Sequence, residues 1–314
     1  MKIVFMGSGI FAVPMLRALA KVVEIQGVFS QPDRPSGRHL KLTPPPVKEE
    51  AEELNLPIFQ PETLKTPEIV EQLQRFKPDA IVVGAYGQII PQNILDIPRL
   101  GPINLHASLL PKYRGAAPIH WAIMNGEKQT GVTTFFMEAD VDTGAILLQK
   151  ATRIESDDNV ITVESKLAHI GSFLMLETLD LLSEERLRAV KQDDSIATNA
   201  PKLHKELGQV DWSRNARQLD CFVRGTHPFP SAYTFINEHR LKIHKAIMVD
   251  DASTDAKPGE IVGLTTDVIL VQTGRGVIEL KEVQPASKAR MGAGDFANGY
   301  HLEKGMVFDS LKSE

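Results

Sequence analysis

Residues 103–115 read INLHASLLPKYRG, and this stretch organises the rest of the chain. It begins as an apolar strand and ends in a turn that carries Pro111 and Gly115. Asn104 and His106 are two positions apart, so on a strand their side chains point to the same face. An amide can donate to a carbonyl oxygen, and an imidazole moves protons near neutral pH. The pair is compatible with an acyl-transfer site and equally with a buried strand whose polar side chains are satisfied by backbone.

Length and composition indicate two globular domains in a reducing compartment. The chain has 314 residues, of which 42% are hydrophobic and 24% charged, and domains average about 150 residues. The single cysteine, Cys221, excludes an intrachain disulfide and a cysteine metal cluster. A net charge of −5 argues against indiscriminate nucleic-acid binding but leaves room for a local basic patch. The chain opens directly as a strand and has no apolar run of about 18 residues, so the cytoplasm is the expected location.

Strands alternate with helices through the first part of the chain. Apolar segments at residues 2–6, 24–30, 79–85 and 103–106 are separated by helical patterns. This alternation predicts βαβ units and a parallel sheet, in which ligands bind outside the carboxyl ends of the strands. The rule places Tyr86 and Gly87 at the same rim as the 103–115 stretch.

The first turn has a glycine pattern that permits two interpretations. Gly7, Gly9 and Ala12 match the G-x-G-x-x-G/A turn of dinucleotide-binding proteins. A nicotinamide dehydrogenase is therefore one alternative. The acidic residue expected at the end of the second strand is replaced by Ser30 and Gln31, which favours glycines that merely allow a tight turn.

Residues 31–48, QPDRPSGRHLKLTPPPVK, contain five prolines. Proline removes backbone donors, so the segment is predicted to be a loop. Arg34, Arg38 and Lys41 could reach phosphate groups, although a solvated loop without a ligand fits the composition as well.

For His120, Asp142 and Ser108, the local sequence favours structural roles over catalytic or metal-binding ones. His120 is predicted to have a packing or surface role on a helix rather than a catalytic one, because the sequence places no partner near it. Asp142 lies in a D-x-D tight turn that lacks the further acceptors of a calcium loop. Ser108 lacks a G-x-S-x-G elbow, so a turn role is favoured over a nucleophile.

The last part of the chain changes in character. Several short strands punctuated by glycine and proline follow residue 230 and indicate a small antiparallel barrel or sandwich. A polar, irregular segment precedes them and has the composition of a linker.

The motif set resembles the formyltransferase family that uses 10-formyltetrahydrofolate. The matching positions are Asn104, His106, Ser108-Leu109-Leu110-Pro111, Gly115 and Asp142-Thr143-Gly144, supported by Ala85-Tyr86-Gly87 and residues 130–133. The resemblance covers essentially the whole chain. It implies an α/β fold with a doubly wound, Rossmann-like formyltransferase domain at residues 1–189, a linker at 190–206 and a small OB-like β-barrel domain that binds tRNA at 207–314.

The resemblance also implies roles for individual residues. The implied catalytic residues are Asn104, His106 and Asp142; the implied folate contacts are Tyr86, Gly87, Ser108, Leu109, Leu110 and Pro111. Arg34, Arg38 and Lys41 would contact the acceptor arm of an initiator tRNA charged with methionine. His39 and Leu40 depart from the family pattern, in which a glycine and a further lysine are common, so this loop carries less positive charge. The implied enzyme is a monomer that needs no metal and no membrane.

Three alternatives keep part of this interpretation. A formyltransferase acting on an amino sugar nucleotide, or a formyl-folate hydrolase, would share the catalytic stretch but lack the basic proline-rich loop. A nucleic-acid-binding module without catalysis would explain the small barrel and leave Asn104, His106 and Asp142 unexplained.

Overall fold

The computed structural model describes residues 1–36, 41–237, 239–250 and 255–309, which form two compact units. Unit 1 comprises Met1–Pro118, Gln129–Arg153 and Glu164–Ala200; unit 2 comprises Ile119–Lys128, Ile154–Val163 and Pro201–Glu314. The units differ from the domain bounds predicted from the sequence in two ways. Two short central segments belong to unit 2, and residues 190–200, predicted to be linker, belong to unit 1.

The secondary structure of the described residues is numbered in chain order. The strands are β1 (Lys2–Gly7), β2 (Glu24–Phe29), β3 (Arg34–Ser36), β4 (Lys41–Thr43), β5 (Ile58–Phe59), β6 (Ala80–Gly84), β7 (Pro102–His106), β8 (Gln129–Phe136), β9 (Ile146–Arg153), β10 (Ala232–Ile236), β11 (His239–Asp250), β12 (Ile261–Leu264), β13 (Ile269–Gln272), β14 (Val277–Pro285) and β15 (Met291–Gly292). The helices are α1 (Val13–Leu19), α2 (Pro46–Glu53), α3 (Pro67–Phe76), α4 (Gln92–Leu95), α5 (Pro118–Met124), α6 (Val160–Ser183), α7 (Ala216–Thr226) and α8 (Ala293–Gly299).

Unit 1 is built on a seven-stranded sheet in the order β5-β2-β1-β6-β7-β8-β9. The strands from β5 to β7 are parallel, whereas β8 and β9 run antiparallel to their neighbours. Every residue of β6 is buried, as the continuous apolar run predicted for a strand covered on both faces. The predicted doubly wound α/β fold of the first part is confirmed.

The glycines of the first turn serve close backbone packing. The backbone N–H groups of Ser8 and Gly9 donate to the carbonyl oxygen of Ala85, at 3.1 and 3.2 Å. A Cβ atom on Gly7 would lie 3.0 Å from the carbonyl oxygen of Gly84. The glycines therefore allow the chain to pass close to the end of β6, which agrees with the tight-turn interpretation.

The prediction that residues 31–48 form a loop was wrong in part. Strands β3 and β4 pair antiparallel, and Pro35 lies opposite Leu42 in this small hairpin. A two-stranded ribbon has open edges, and proline is tolerated where its nitrogen faces one of them.

Unit 2 contains an antiparallel sheet in the order β10-β11-β14-β13-β12, with β15 paired to β14. Residues 307–309 bridge its two edges, because Val307 pairs next to β12 at Glu260 and Asp309 pairs with Phe235 of β10. The sheet is thereby closed, as expected for the predicted OB-like barrel. Trp212 is buried in its core, with its ring stacked on Phe308 at 5.7 Å.

Helix α7 begins at Ala216, directly after its capping residue Asn215. Asn215 and Gln218 form a capping box, in which each side chain binds the other residue's backbone N–H. Nearby, the ring nitrogen Nδ1 of His120 lies 2.8 Å from the carbonyl oxygen of Gly225. His120 thus has the packing role that the sequence suggested. Among the described residues, no helix combines the length and apolarity that a membrane span requires.

Candidate functional site

Asn104 and His106 lie on β7, at the rim of the sheet in unit 1. Asn104 lies opposite Phe135 of β8 and His106 lies opposite Thr133. Asn104 is half-buried, and its side chain has no hydrogen-bond partner among the described residues. An unpaired, half-buried amide at the end of a strand is available to donate to an incoming oxygen atom.

His106 is buried, and both of its ring nitrogens face protein groups. Nε2 lies 2.9 Å from the carbonyl oxygen of Tyr113, and Nδ1 lies 3.5 Å from Oδ2 of Asp142. Because a carbonyl oxygen only accepts, Nε2 carries a hydrogen. The second nitrogen therefore faces the carboxylate, at a distance longer than a normal hydrogen bond. Nδ1 is therefore the ring nitrogen left without a backbone partner among the described residues, and it faces Asp142.

Asp142 reaches His106 from a turn between β8 and β9. It has a left-handed backbone, with φ of +55°, and its Oδ2 accepts a hydrogen bond of 2.8 Å from the backbone N–H of Gly115. Gly144 is required in this turn, since a Cβ atom there would lie 1.7 Å from the carbonyl oxygen of Phe136. The interpretation of D-x-D as turn chemistry agrees with this geometry.

The turn after β7 is held from inside by one threonine. The Thr133 hydroxyl donates to the carbonyl oxygen of Ser108 at 2.7 Å and accepts from the backbone N–H of Leu110 at 3.1 Å. Gln149 donates to the same hydroxyl and to the carbonyl oxygen of Leu110, at 2.9 and 2.8 Å. Pro111 follows through a cis peptide bond. The predicted cofactor-binding turn is therefore fixed to β8 and β9.

Ser108 is fully buried, and its hydroxyl donates to the carbonyl oxygen of Lys112 at 2.6 Å. This hydroxyl closes the turn, and the partner it has among the described residues is that backbone oxygen and not a base. Leu109 is half-buried and Leu110 is buried, so Leu109 is the more accessible of the two predicted cofactor contacts.

Tyr86 and Gly87 lie at the same end of the sheet, after β6. The Tyr86 ring is in the hydrophobic core, its hydroxyl has no partner among the described residues, and burial raises its pKa to about 12. The backbone carbonyl of Tyr86 accepts from the Ser8 hydroxyl at 3.1 Å. Gly87 has a φ of +87° and lies beside Gln31. A contact from this predicted pair to a ligand would therefore involve the backbone.

Two of the three predicted tRNA contacts, Arg34 and Lys41, lie on β3 and β4. Arg34 pairs with Glu62 at 2.8 Å in an exposed ion pair, and Lys41 is exposed at the start of β4. Arg38 lies outside the described residues. At the base of the hairpin, the Asp33 carboxylate accepts from Gln60 at 2.7 Å and from Lys48 at 2.8 Å. Hydrogen bonds from Gln60 and then Lys48 hold the pKa of Asp33 below its ordinary value.

Sequence reasoning missed the residues that hold the site together. Thr133 and Gln149 fix the turn after β7, and Thr198 accepts the backbone N–H of Tyr113 at 2.9 Å. Gln192 is buried and holds the Asp142 turn. These are single polar residues in unrelated segments, so no spacing pattern marks them. Within the described part of the chain, no group of three or more His, Cys, Asp and Glu residues could hold a metal ion.

This geometry describes an acyl-transfer type of site at the carboxyl rim of a doubly wound sheet. Two family models match the chain: formyl transferase over residues 1–179, and the formyl transferase C-terminal domain over residues 202–301. A curated methionyl-tRNA formyltransferase of Alkaliphilus oremlandii is 43% identical, over 98% of this chain and 99% of its own length. That of Citrifermentans bemidjiense is 45% identical, over 97% and 95%.

Solved structures show the same fold at low sequence identity. An N-formyltransferase from Helicobacter canadensis, in complex with folinic acid and dTDP-3-aminofucose, has a TM-score of 0.66 and 16% identity, covering 90% of this chain and 99% of that chain. HypX from Aquifex aeolicus, in complex with tetrahydrofolic acid, has a TM-score of 0.63 and 16% identity, and covers 98% of this chain. This chain spans 50% of the length of HypX. From the family models and the curated relatives, the chain belongs to the formyl transferase family, in its methionyl-tRNA formyltransferase group.

Proposed function

We propose that this protein transfers the formyl group of 10-formyltetrahydrofolate to the α-amino group of methionine on initiator tRNA. The product is formylmethionyl-tRNA, which serves translation initiation. The geometric observation that carries the formyl-transfer chemistry is the convergence of Asp142 on His106, beside the unpaired amide of Asn104. The choice of methionyl-tRNA as acceptor rests on the full-length similarity to curated methionyl-tRNA formyltransferases.

Asn104 stabilises the negative charge that develops on the formyl oxygen. Its half-buried amide is unpaired among the described residues, which fits a site whose partner oxygen arrives with the substrate. A donor already in place costs no reorganisation during the reaction, and losing such a donor lowers the rate by about 10²–10³.

His106 and Asp142 move the proton. A bond forms between the amine nitrogen and the formyl carbon, and the bond between that carbon and N10 of the folate breaks. The amine loses a proton and N10 gains one, so the balance requires a group that accepts and returns one proton. Nδ1 of His106 and Oδ2 of Asp142 face each other at 3.5 Å, whereas the Nε2 hydrogen is held by Tyr113. General acid–base help of this kind is worth about 10²–10⁴ in rate.

The turn at residues 108–111 and the backbone of Tyr86 and Gly87 form the walls for the folate. The turn is anchored by Thr133 and Gln149, so it offers a fixed surface to a planar ring. The folate supplies the formyl group. The chain's own residues hold it against the amide of Asn104.

The acceptor tRNA is recognised at the β3–β4 hairpin and by the barrel domain. Arg34, Lys41 and Arg38 supply positive charge for phosphate contacts. We further infer that the protein acts as a monomer in the cytoplasm, where charged initiator tRNA is found, that unit 1, including residues 190–200, carries the catalytic site, and that residues 207–314 bind tRNA.

An acceptor assay tests this proposal. The protein is incubated with 10-formyltetrahydrofolate and one of three acceptors: initiator tRNA charged with methionine, the same tRNA uncharged, or a dTDP-amino sugar. Formyl transfer to the charged tRNA alone is expected. Transfer to the amino sugar, or folate turnover without an acceptor, would overturn the choice of acceptor. Near-normal single-turnover transfer by Asn104→Ala would overturn the role given to that amide.

A further inference from the structure

We propose that Gln192, held by Arg114, is the positioning residue that keeps Asp142 against His106. This inference rests on the proposed function, in which Asp142 and His106 exchange the proton. All the residues concerned belong to unit 1. Gln192 does not contact His106 and acts only through the turn that carries Asp142.

The Asp142 turn needs an external anchor. Its φ of +55° is in the left-handed region, which asparagine and aspartate tolerate better than other non-glycine residues but which persists only when the surroundings enforce it. Within the described part of the chain, the carboxylate accepts one hydrogen bond, from the backbone N–H of Gly115. A shift of the turn would break that bond and lengthen the distance to His106.

Gln192 supplies the anchor through both hydrogens of its amide. Nε2 donates to the carbonyl oxygens of Asp142 and Gly144, each at 2.8 Å. The two carbonyls flank the carboxylate-bearing turn, and the glutamine side chain is 5% exposed. Because buried carbonyl groups are costly to leave unpaired, these two bonds fix the backbone on both sides of Thr143.

Arg114 fixes the other end of the same amide. Its guanidinium donates twice to Oε1 of Gln192, from Nε at 3.0 Å and from Nη2 at 2.8 Å. Gln192 therefore uses all four of its hydrogen-bonding positions. Arg114 also pairs with Asp194, whose side chain is largely exposed, so that contact contributes little.

Gln192 and Arg114 together connect the two turns that meet at His106. Arg114 directly precedes Gly115, the residue whose backbone N–H binds Asp142. The backbone of Arg114 is itself paired on both sides: its N–H donates to Thr198 at 2.8 Å and its carbonyl accepts from Ala200 at 2.7 Å. Residues 192–200 thus hold the 113–115 turn by the backbone and the Asp142 turn by one side chain.

Gln192→Glu tests the contact of Gln192 with the Asp142 turn separately from its contact with Arg114. The glutamate keeps an acceptor for Arg114 but places one oxygen atom, in the position of Nε2, against the carbonyls of Asp142 and Gly144. A misplacement of about 1 Å can cost about 10²-fold in rate, so kcat is expected to fall by about 10–100-fold. KM for the charged tRNA should stay within about twofold, because the proposed tRNA contacts lie on the β3–β4 hairpin and on the barrel domain. Arg114→Lys removes the fork and should give a smaller loss of kcat.

A double-mutant cycle distinguishes positioning from general damage. In an Asp142→Asn background, Gln192→Glu should lower kcat by less than about threefold, since its effect is transmitted through Asp142. Gln272→Ala in unit 2 is the matched control. Gln272 is 2% exposed and donates to the carbonyls of Thr273 and Gly276. This control should lower the melting temperature and leave hydrogen exchange at the amide of Gly115 unchanged.

Hydrogen exchange supplies a readout that does not depend on activity. The amide of Gly115 should exchange faster in Gln192→Glu than in the unsubstituted protein, because its acceptor on Asp142 moves away. Multiplicative losses of kcat in the cycle, or unchanged exchange at Gly115, would overturn the positioning role. If the unsubstituted protein transfers no formyl group to charged tRNA, the proposed function fails, and the exchange measurement still tests the anchor.

Discussion

The Thr133 hydroxyl is the best single place to test how the predicted cofactor turn is held. Thr133→Val replaces the hydroxyl by a methyl group of nearly the same size, so no large cavity is created. The residue is fully buried at the centre of β8. The carbonyl oxygen of Ser108 and the backbone N–H of Leu110 both lose the partner described above.

The expected magnitude follows from these two groups. A buried backbone donor or acceptor left without a partner costs about 1–3 kcal/mol. Two such groups imply a loss of about 2–6 kcal/mol in the free energy of unfolding. Gln149 still reaches the carbonyl of Leu110, so the turn loosens without detaching. We expect kcat/KM for the folate to fall by about 10–100-fold, because a displacement of about 1 Å in a substrate-positioning group can cost about 10²-fold in rate.

The assay pairs urea unfolding, followed by circular dichroism, with folate-dependent formyl transfer. Thr134→Val is the control, because Thr134 is equally buried but points to the opposite face of β8. Its hydroxyl binds Thr178 at 2.8 Å and the backbone N–H of Leu148 at 3.1 Å. The control should lose stability and keep its kcat/KM. If Thr133→Val folds and transfers formyl groups as fast as the unsubstituted protein, the turn is not held in the way described.

Three further outcomes are expected. Gly144→Ala should lower both the melting temperature and kcat, because its Cβ atom would lie 1.7 Å from a backbone carbonyl oxygen; unchanged values of both would contradict this. Burial lowers the pKa of His120 and of His244, so both favour the neutral form in the folded state, and unit 2 should lose stability as the pH falls through about 6.5. Urea unfolding followed by Trp212 fluorescence at two pH values measures this, and equal midpoints would refute it. Hydrogen bonds from a glutamine and a lysine lower the pKa of Asp33, so its stabilising contribution is present above its ordinary pKa and is lost on acidification below it. Asp33→Asn should shrink the difference in urea midpoint between about pH 5 and pH 3, and an unchanged difference would exclude that contribution.

The sheet of unit 1 could be predicted from the sequence because its signals are local. The continuous apolar run at residues 79–85 and the alternation of strands with helices identify parallel strands covered on both faces. The same-face arrangement of Asn104 and His106 follows from the period of a strand alone. The part taken by Asp142 did not follow from any local pattern and was reached only through the family resemblance.

The supports of the site could not be predicted because they are long-range and solitary. Gln192 lies 50 positions from Asp142, in a polar segment whose composition indicates a linker. Thr133 lies 25 positions from Ser108, on a strand whose pattern indicates only burial. A single glutamine or threonine carries no periodicity, so its partners appear only in three dimensions. The β3–β4 hairpin was missed for the opposite reason, since its prolines gave a strong local signal that two open strand edges can accommodate.

The closure of the barrel by residues 307–309 has a consequence for how the chain is made. Thr234 on β10 binds the carbonyl oxygen of Asp309, 75 positions later, and closing so long a loop is slow compared with forming local contacts. During synthesis, unit 1 has all its segments once residue 200 has emerged. The segments Ile119–Lys128 and Ile154–Val163 emerge early but belong to unit 2. Because the rest of unit 2 lies beyond residue 200, we expect these segments to lack their unit 2 partners until that part of the chain is made, and a nascent chain is prone to aggregation in such an interval.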